Sequence, residues 1–140
     1  MILAKNLCLF AIGGCAYVVI ELLFRGYSHY TMFLLAGVCF LAIGHLGKRF
    51  PRLSPALHAL ISAAICTAGE LAVGLVFNRS FTIWDYRGQP GNFAGQICPL
   101  FTLLWIPLSF CAGQVFHRCD RLLERTLHRM PKGRPSGQSS

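Results

Sequence analysis

Four long apolar runs, at about 7–24, 30–46, 56–77 and 97–116, separated by short polar stretches, leave this chain few ways to fold. Each holds about eighteen residues or more, and a helix of that length, rising about 1.5 Å per residue, just crosses a hydrocarbon layer about 30 Å thick. Inside that layer a backbone must satisfy its own polar groups, so the runs predict helices. The expected fold is all-α: an integral membrane bundle of four transmembrane helices. Composition agrees, because 54% hydrophobic and only 13% charged residues leave too little polar surface for a soluble domain. A nucleic-acid-binding domain is also disfavoured, since the formal charge of +8 gathers at run ends and not on one soluble face.

The charges also set an orientation. One side of the membrane receives Lys5, Lys48, Arg49, Arg52, Arg118, Arg121, Arg125, Arg129, Lys132 and Arg134, and the other only Arg25, Arg79 and Arg87. By the positive-inside rule both termini are expected in the cytoplasm, with the 25–29 turn and the 78–96 loop outside. Pro51 and Pro55 break the chain between the two hairpins, whereas Pro99 suits a first helical turn and Pro107 predicts a kink in the fourth span. Beyond Phe116, residues Cys119, Leu122, Leu123, Leu127 and Met130 oppose Arg118, Arg121, Arg125 and Arg129. Residues 117–140 are therefore expected to form a basic amphipathic interfacial helix, its arginines binding the anionic inner leaflet, followed by a disordered cytoplasmic tail at 131–140.

Chemistry is expected where carboxylates enter apolar runs. Glu21 and Glu70 do so, and an ionised side chain there costs several kcal/mol unless it is paired, protonated or hydrated. Both must face inward, at depths that differ by only about 6 Å along their helices. The stripes Gly13, Tyr17, Glu21, Arg25 and Ser62, Cys66, Glu70, Gly74 carry small residues that permit close approach, which predicts a contact between the first and third helices. Arg25 stands four residues after Glu21, the favourable order for an ion pair.

The 83–99 loop adds Trp84 and Tyr86, suited to the membrane interface, with Asp85 between them and Arg87 after them. Gly88, Gly91 and Gly95 permit tight turns, and Asn92 and Gln96 can satisfy backbone groups or contact a polar solute. An outward-facing polar pocket is expected from Glu21, Arg25, Glu70, Asn78, Trp84, Asp85, Arg87, Asn92 and Gln96.

The succession Glu70, Gly74, Asn78, Trp84-Asp85-Tyr86, Pro90, Asn92, Gly95-Gln96-Ile97-Cys98 and Trp105 resembles the signature of a family of small bacterial membrane proteins, the putative ABC-transporter type IV family. The resemblance covers residues 67–109, with a weaker likeness around Tyr17, Glu21 and Arg25-Gly26-Tyr27-Ser28. It implies a permease-like or transport-associated protein. No G-x-x-x-x-G-K-[ST] loop is present, so an active transporter of that kind would need a separate ATPase as partner.

Two other readings stand beside this one. The chain could be a structural or assembly subunit of a membrane complex, working as a homo-oligomer or with a membrane partner. It could also be an enzyme acting on lipid headgroups, with Asp85 and Glu70 as acid and base and Arg87 on phosphate. No HExxH or GxSxG motif supports catalysis, and an enzymatic role is not expected. The seven cysteines are scattered without a CxxC pair and the five histidines lie near run ends, so no metal and no cofactor are expected.

Overall fold

A computed structural model describes residues 1–130; the 131–140 segment, expected to be disordered, lies outside the described residues. Four helices follow one another: α1 (Ile2–Arg25), α2 (Tyr30–Arg49), α3 (Pro55–Phe77) and α4 (Pro99–Arg129). All four are long and apolar enough to cross a membrane. Among the described residues no strand forms, and the one extended pairing is a single bridge between Phe93 and Ile97 in the loop before α4.

The helix ends follow local chemistry. Gly26 closes α1 with φ of 75°, a left-handed conformation that glycine adopts without the Cβ penalty. His29 opens α2 by accepting the Thr31 N–H at 3.3 Å, and Ser54 opens α3 by accepting the Leu57 N–H at 3.2 Å ahead of Pro55. Pro99 begins α4 as expected, while Pro107 sits inside that helix without ending it.

Packing departs from expectation in one respect. α1 lies against α2 and α4, α3 lies against the same two helices, and α2 meets α4 across the middle, but α1 and α3 do not touch. The contact predicted between the first and third helices is therefore replaced by two opposite corners of a diamond. The small residues explain why: a Cβ on Gly13 would strike the Phe40 side chain, and one on Gly14 the Phe33 ring. These glycines accommodate aromatic knobs from α2 and do not form a seam with α3. Two apolar clusters result, one around Met32, Leu35, Cys66 and Trp105 that receives Ile83 and Trp84 from the loop, the other joining Leu9, Phe40 and Phe116.

The stretch after Phe116 is helical, yet it is a direct continuation of α4 and not a separate element. Residues 117–129 hold neither glycine nor proline, so nothing interrupts the backbone ladder. Cys119 and Leu123 pack on the Leu9, Phe40 and Phe116 cluster, whereas Arg118, Arg121, Arg125 and Arg129 are all exposed. Between them Asp120 is buried. Lys5 Nζ lies 3.0 Å from Asp120 Oδ1 and 2.8 Å from Glu124 Oε1, and Lys48 pairs with Asp120 Oδ2. One carboxylate thus ties α1, α2 and α4 together at the end of the bundle remote from Glu21.

The tightest point of the second cluster gives a direct test. A Cβ on Gly44 would collide with the Phe116 ring, which is itself fully buried. Gly44→Ala is expected to overpack the site and cost about 1–3 kcal/mol, read from chemical unfolding in detergent. Unfolding identical to that of the native chain would show that this ring can move aside freely.

Candidate functional site

Lys5 and Arg25 are twenty residues apart on α1, about 30 Å along a helix, so charged side chains bracket a length equal to the hydrocarbon core. Glu21 lies one turn inside that boundary. Its side chain is 5% exposed and accepts from Arg25, whose Nε donates at 3.1 Å and whose Nη2 forms the ion pair. Arg25 Nη1 also donates to the Ile83 carbonyl at 3.2 Å, fastening the loop to the end of α1.

Glu70 is 3% exposed on α3 and is held differently. The Tyr86 hydroxyl donates to its Oε1 at 2.9 Å, and the Trp105 indole N–H donates to its Oε2 at 3.1 Å. One partner sits on each oxygen, so both oxygens of the buried acid are satisfied. Tyr17 stacks on Trp105 with ring centroids 5.7 Å apart, and Tyr86 stacks on Phe101 at 4.5 Å, so aromatic packing orients both donors. Tyr86, expected at the membrane interface, is in this sense an internal part.

Glu21, Arg25 and Glu70 meet at a cavity of about 440 Å³ between α1 and α4, closed behind by Met32 and Glu70 and roofed by Trp84 and Tyr86. The acids of α1 and α3 therefore share a space although their helices do not touch. A smaller cavity of about 160 Å³ adjoins it past Tyr17 and Trp105, lined by Cys39, Cys66 and Ser109.

The remaining candidates stand elsewhere. Asn78 is fully buried and organises the loop: its Nδ2 donates to the Trp84 carbonyl at 2.7 Å and to Gln96 Oε1 at 2.9 Å, and its Oδ1 accepts the Ile83 N–H at 2.9 Å. Gln96 returns a bond from Nε2 to the Asn78 carbonyl at 3.1 Å. Trp84 is 3% exposed with its indole N–H on the Gln96 carbonyl at 2.9 Å, so it is a buried part of this lock and not an interfacial anchor. Gly74 makes room for Gln96, since a Cβ there would strike that side chain. Asn92 serves the loop alone, donating to the Arg87 and Gln89 carbonyls and accepting the Gly95 N–H.

Asp85 and Arg87 do not enter the cavity. They pair with each other on the outer surface of the loop, Nε on Oδ1 at 2.9 Å and Nη2 on Oδ2 at 2.7 Å, while the guanidinium covers the Phe81 ring at 4.1 Å. Hydrogen bonds from the Arg87 side chain and its backbone N–H hold the Asp85 carboxyl down at about 2. A depressed carboxylate of this kind supports the loop at all pH values above its ordinary 3.8, and that support disappears only as pH falls through about 2. Asp85 and Glu70 are thus not arranged as an acid and base pair.

Tyr86 and Trp105 are partners of Glu70 that the sequence does not by itself assign to it. Their signal was present: both belong to the motif succession containing Glu70, and Trp carries a donor that must find an acceptor when buried.

Four helices long and apolar enough to span a membrane, around a lateral cavity lined by an ion pair and a second buried acid, define the class: a small multi-pass membrane protein. The chain belongs to the putative ABC-transporter type IV family, whose family model matches residues 3–133, well beyond the 67–109 stretch that carries the motif resemblance. No curated protein and no solved structure matches it.

Proposed function

We propose that this chain is a transport-associated membrane protein whose working part is the cavity between α1 and α4, facing the outer side of the cell membrane with both termini cytoplasmic. One observation carries the reading: two carboxylates from helices that do not touch, each about nineteen-twentieths buried, line one cavity together with Arg25. Intramembrane ionisable groups are expensive, and a wet or ligand-filled space is where they are tolerated. The family membership agrees with transport, and the ten-to-three distribution of Lys and Arg supports the orientation. A separate ATPase would supply any energy. Arg118, Arg121, Arg125 and Arg129 would rest against anionic lipid of the inner leaflet.

The test is Glu70→Gln in a strain where deletion of the protein alters uptake, efflux or proton-coupled flux. A loss of at least about tenfold in that flux is expected, equal to about 1.4 kcal/mol. Unaltered flux in a variant that is present and folded would remove the cavity from the mechanism.

An assembly role is the second reading, favoured by the Asn78, Trp84 and Gln96 lock, which gives the outer end of the bundle a defined surface. Cys66 and Cys98 are buried, whereas Cys8, Cys15 and Cys111 are exposed, so crosslinking from the exposed three probes partners and homo-oligomers. Their failure to yield adducts in membranes would count against assembly.

A further inference from the structure

The cavity has a charge imbalance that the fold does not correct. Glu21 and Arg25 neutralise each other, but among the described residues no Lys, Arg or His forms an ion pair with Glu70. Its two partners, Tyr86 and Trp105, are neutral donors that satisfy both oxygens without cancelling the charge. An uncompensated carboxylate at this depth is costly, and a cation brought by a ligand would supply what is missing.

The rest of the wall says what kind of cation fits. Tyr17, Trp84, Tyr86 and Trp105 line the cavity beside the acid, and aromatic side chains suit a diffuse positive charge better than a small hydrated ion. At the mouth stand Phe24 and Leu104, 90% and 51% exposed and facing hydrocarbon in a bilayer. Entry past such a rim favours a solute that already partitions into lipid. The volume of about 440 Å³ lies within the roughly 300–1,000 Å³ of small-molecule sites.

We infer that the cavity between α1 and α4 binds a monovalent lipophilic organic cation, its charge placed on Glu70 within the Tyr17, Trp84, Tyr86 and Trp105 aromatics and its apolar body toward the lipid-facing mouth. This deepens the transport-associated reading and rests on it for biological meaning, though the binding itself does not. The cationic group could belong to a free solute or to the ammonium headgroup of a phospholipid entering sideways. Their chemistry at Glu70 is the same.

The chain holds two tryptophans, and both line the cavity, so intrinsic fluorescence reports occupancy directly. Purified full-length protein in maltoside micelles is titrated with tetraphenylphosphonium and, separately, with tetraphenylborate, which has the same shape and the opposite charge. A saturable emission change is expected with the cation alone. Glu70→Gln should weaken that response at least tenfold while circular dichroism and elution volume are retained. Leu108→Phe, which adds bulk to the wall and leaves both acids in place, should weaken it as well and serves if Glu70→Gln misfolds. Suppression of the phosphonium response by added phosphatidylethanolamine would assign the site to a lipid ammonium, and persistence of the response to a free cation. Equal responses to cation and anion, or a Glu70→Gln titration matching the native one, would overturn the inference. If phosphonium fails to bind while Glu70→Gln still abolishes flux, the ligand class falls and the transport reading stands. Binding of phosphonium with flux unaltered in Glu70→Gln would keep the ligand class and remove the transport reading.

Discussion

Replacing Asn78 with leucine is expected to release the segment between α3 and α4 and to destabilise the chain by about 3–5 kcal/mol in chemical unfolding. Leucine is of comparable size, so the loss is chiefly of hydrogen bonding. Asn78 is 0% exposed and serves the Trp84 carbonyl, Gln96 Oε1 and the Ile83 N–H at once. Each of these groups would be left without that partner in a place water does not reach, at a cost of about 1–3 kcal/mol apiece. The local readout is Cys98, 2% exposed in the native chain, whose thiol should become reactive toward a maleimide. Because Trp84 and Tyr86 roof the cavity, the same variant should also lose its tetraphenylphosphonium response although it leaves both acids untouched. A protected Cys98 with unfolding shifted by less than about 1 kcal/mol would show that the loop is held by packing and not by this side chain.

How far the sequence reveals such parts depends on the range of the force involved. The four spans are legible because apolar length is a property of each run by itself. The Glu21 and Arg25 pair is legible for a similar reason: four residues on a helix put the two groups on one face, and no knowledge of the fold is needed. Convergence of Glu21 with Glu70 follows from the cost of burying charge, yet the contact predicted to bring it about is wrong, since Gly13 and Gly14 receive α2 aromatics. Periodicity says which residues share a face and is silent about the face they meet. The loop is less legible still. Whether Trp84 or Asp85 points inward is decided by turns at Gly91 and Gly95, both with positive φ, and by Asn78 at the very end of α3. Composition makes Trp84 an interface anchor and Asp85 a site acid; the loop's own hydrogen bonds bury the first and turn the second outward to Arg87.

Asp120 carries the second large expected effect, and it is the residue for which the chain's basic composition is most misleading. Nothing in an amphipathic stretch rich in arginine distinguishes it, yet it is 4% exposed and shared by Lys5 of α1 and Lys48 of α2. Asp120→Leu would leave both ammonium groups at the same point without their common anion. Removing one partner of a buried pair costs about 3–5 kcal/mol, and about 2–3 is expected here because Lys48 is a third exposed and can turn toward water, while Lys5 keeps Glu124. Lys48→Met should cost less than Asp120→Leu, since Asp120 retains Lys5. A double-mutant cycle across Lys48 and Asp120 should give a coupling of about 1–3 kcal/mol in chemical unfolding. Arg87→Gln, which breaks an exposed pair, should leave the unfolding midpoint in place. The consequence reaches the cavity at the far end. Among the helices α1 packs on α2 and α4, and Asp120 is a charged tie shared with both, so loosening this end loosens the helix that carries Glu21. Asp120→Leu should therefore weaken the tetraphenylphosphonium response from about 24 Å away along α1, and an Asp120→Leu chain that unfolds and binds like the native one would show that packing of Leu9, Phe40 and Phe116 holds α1 without it.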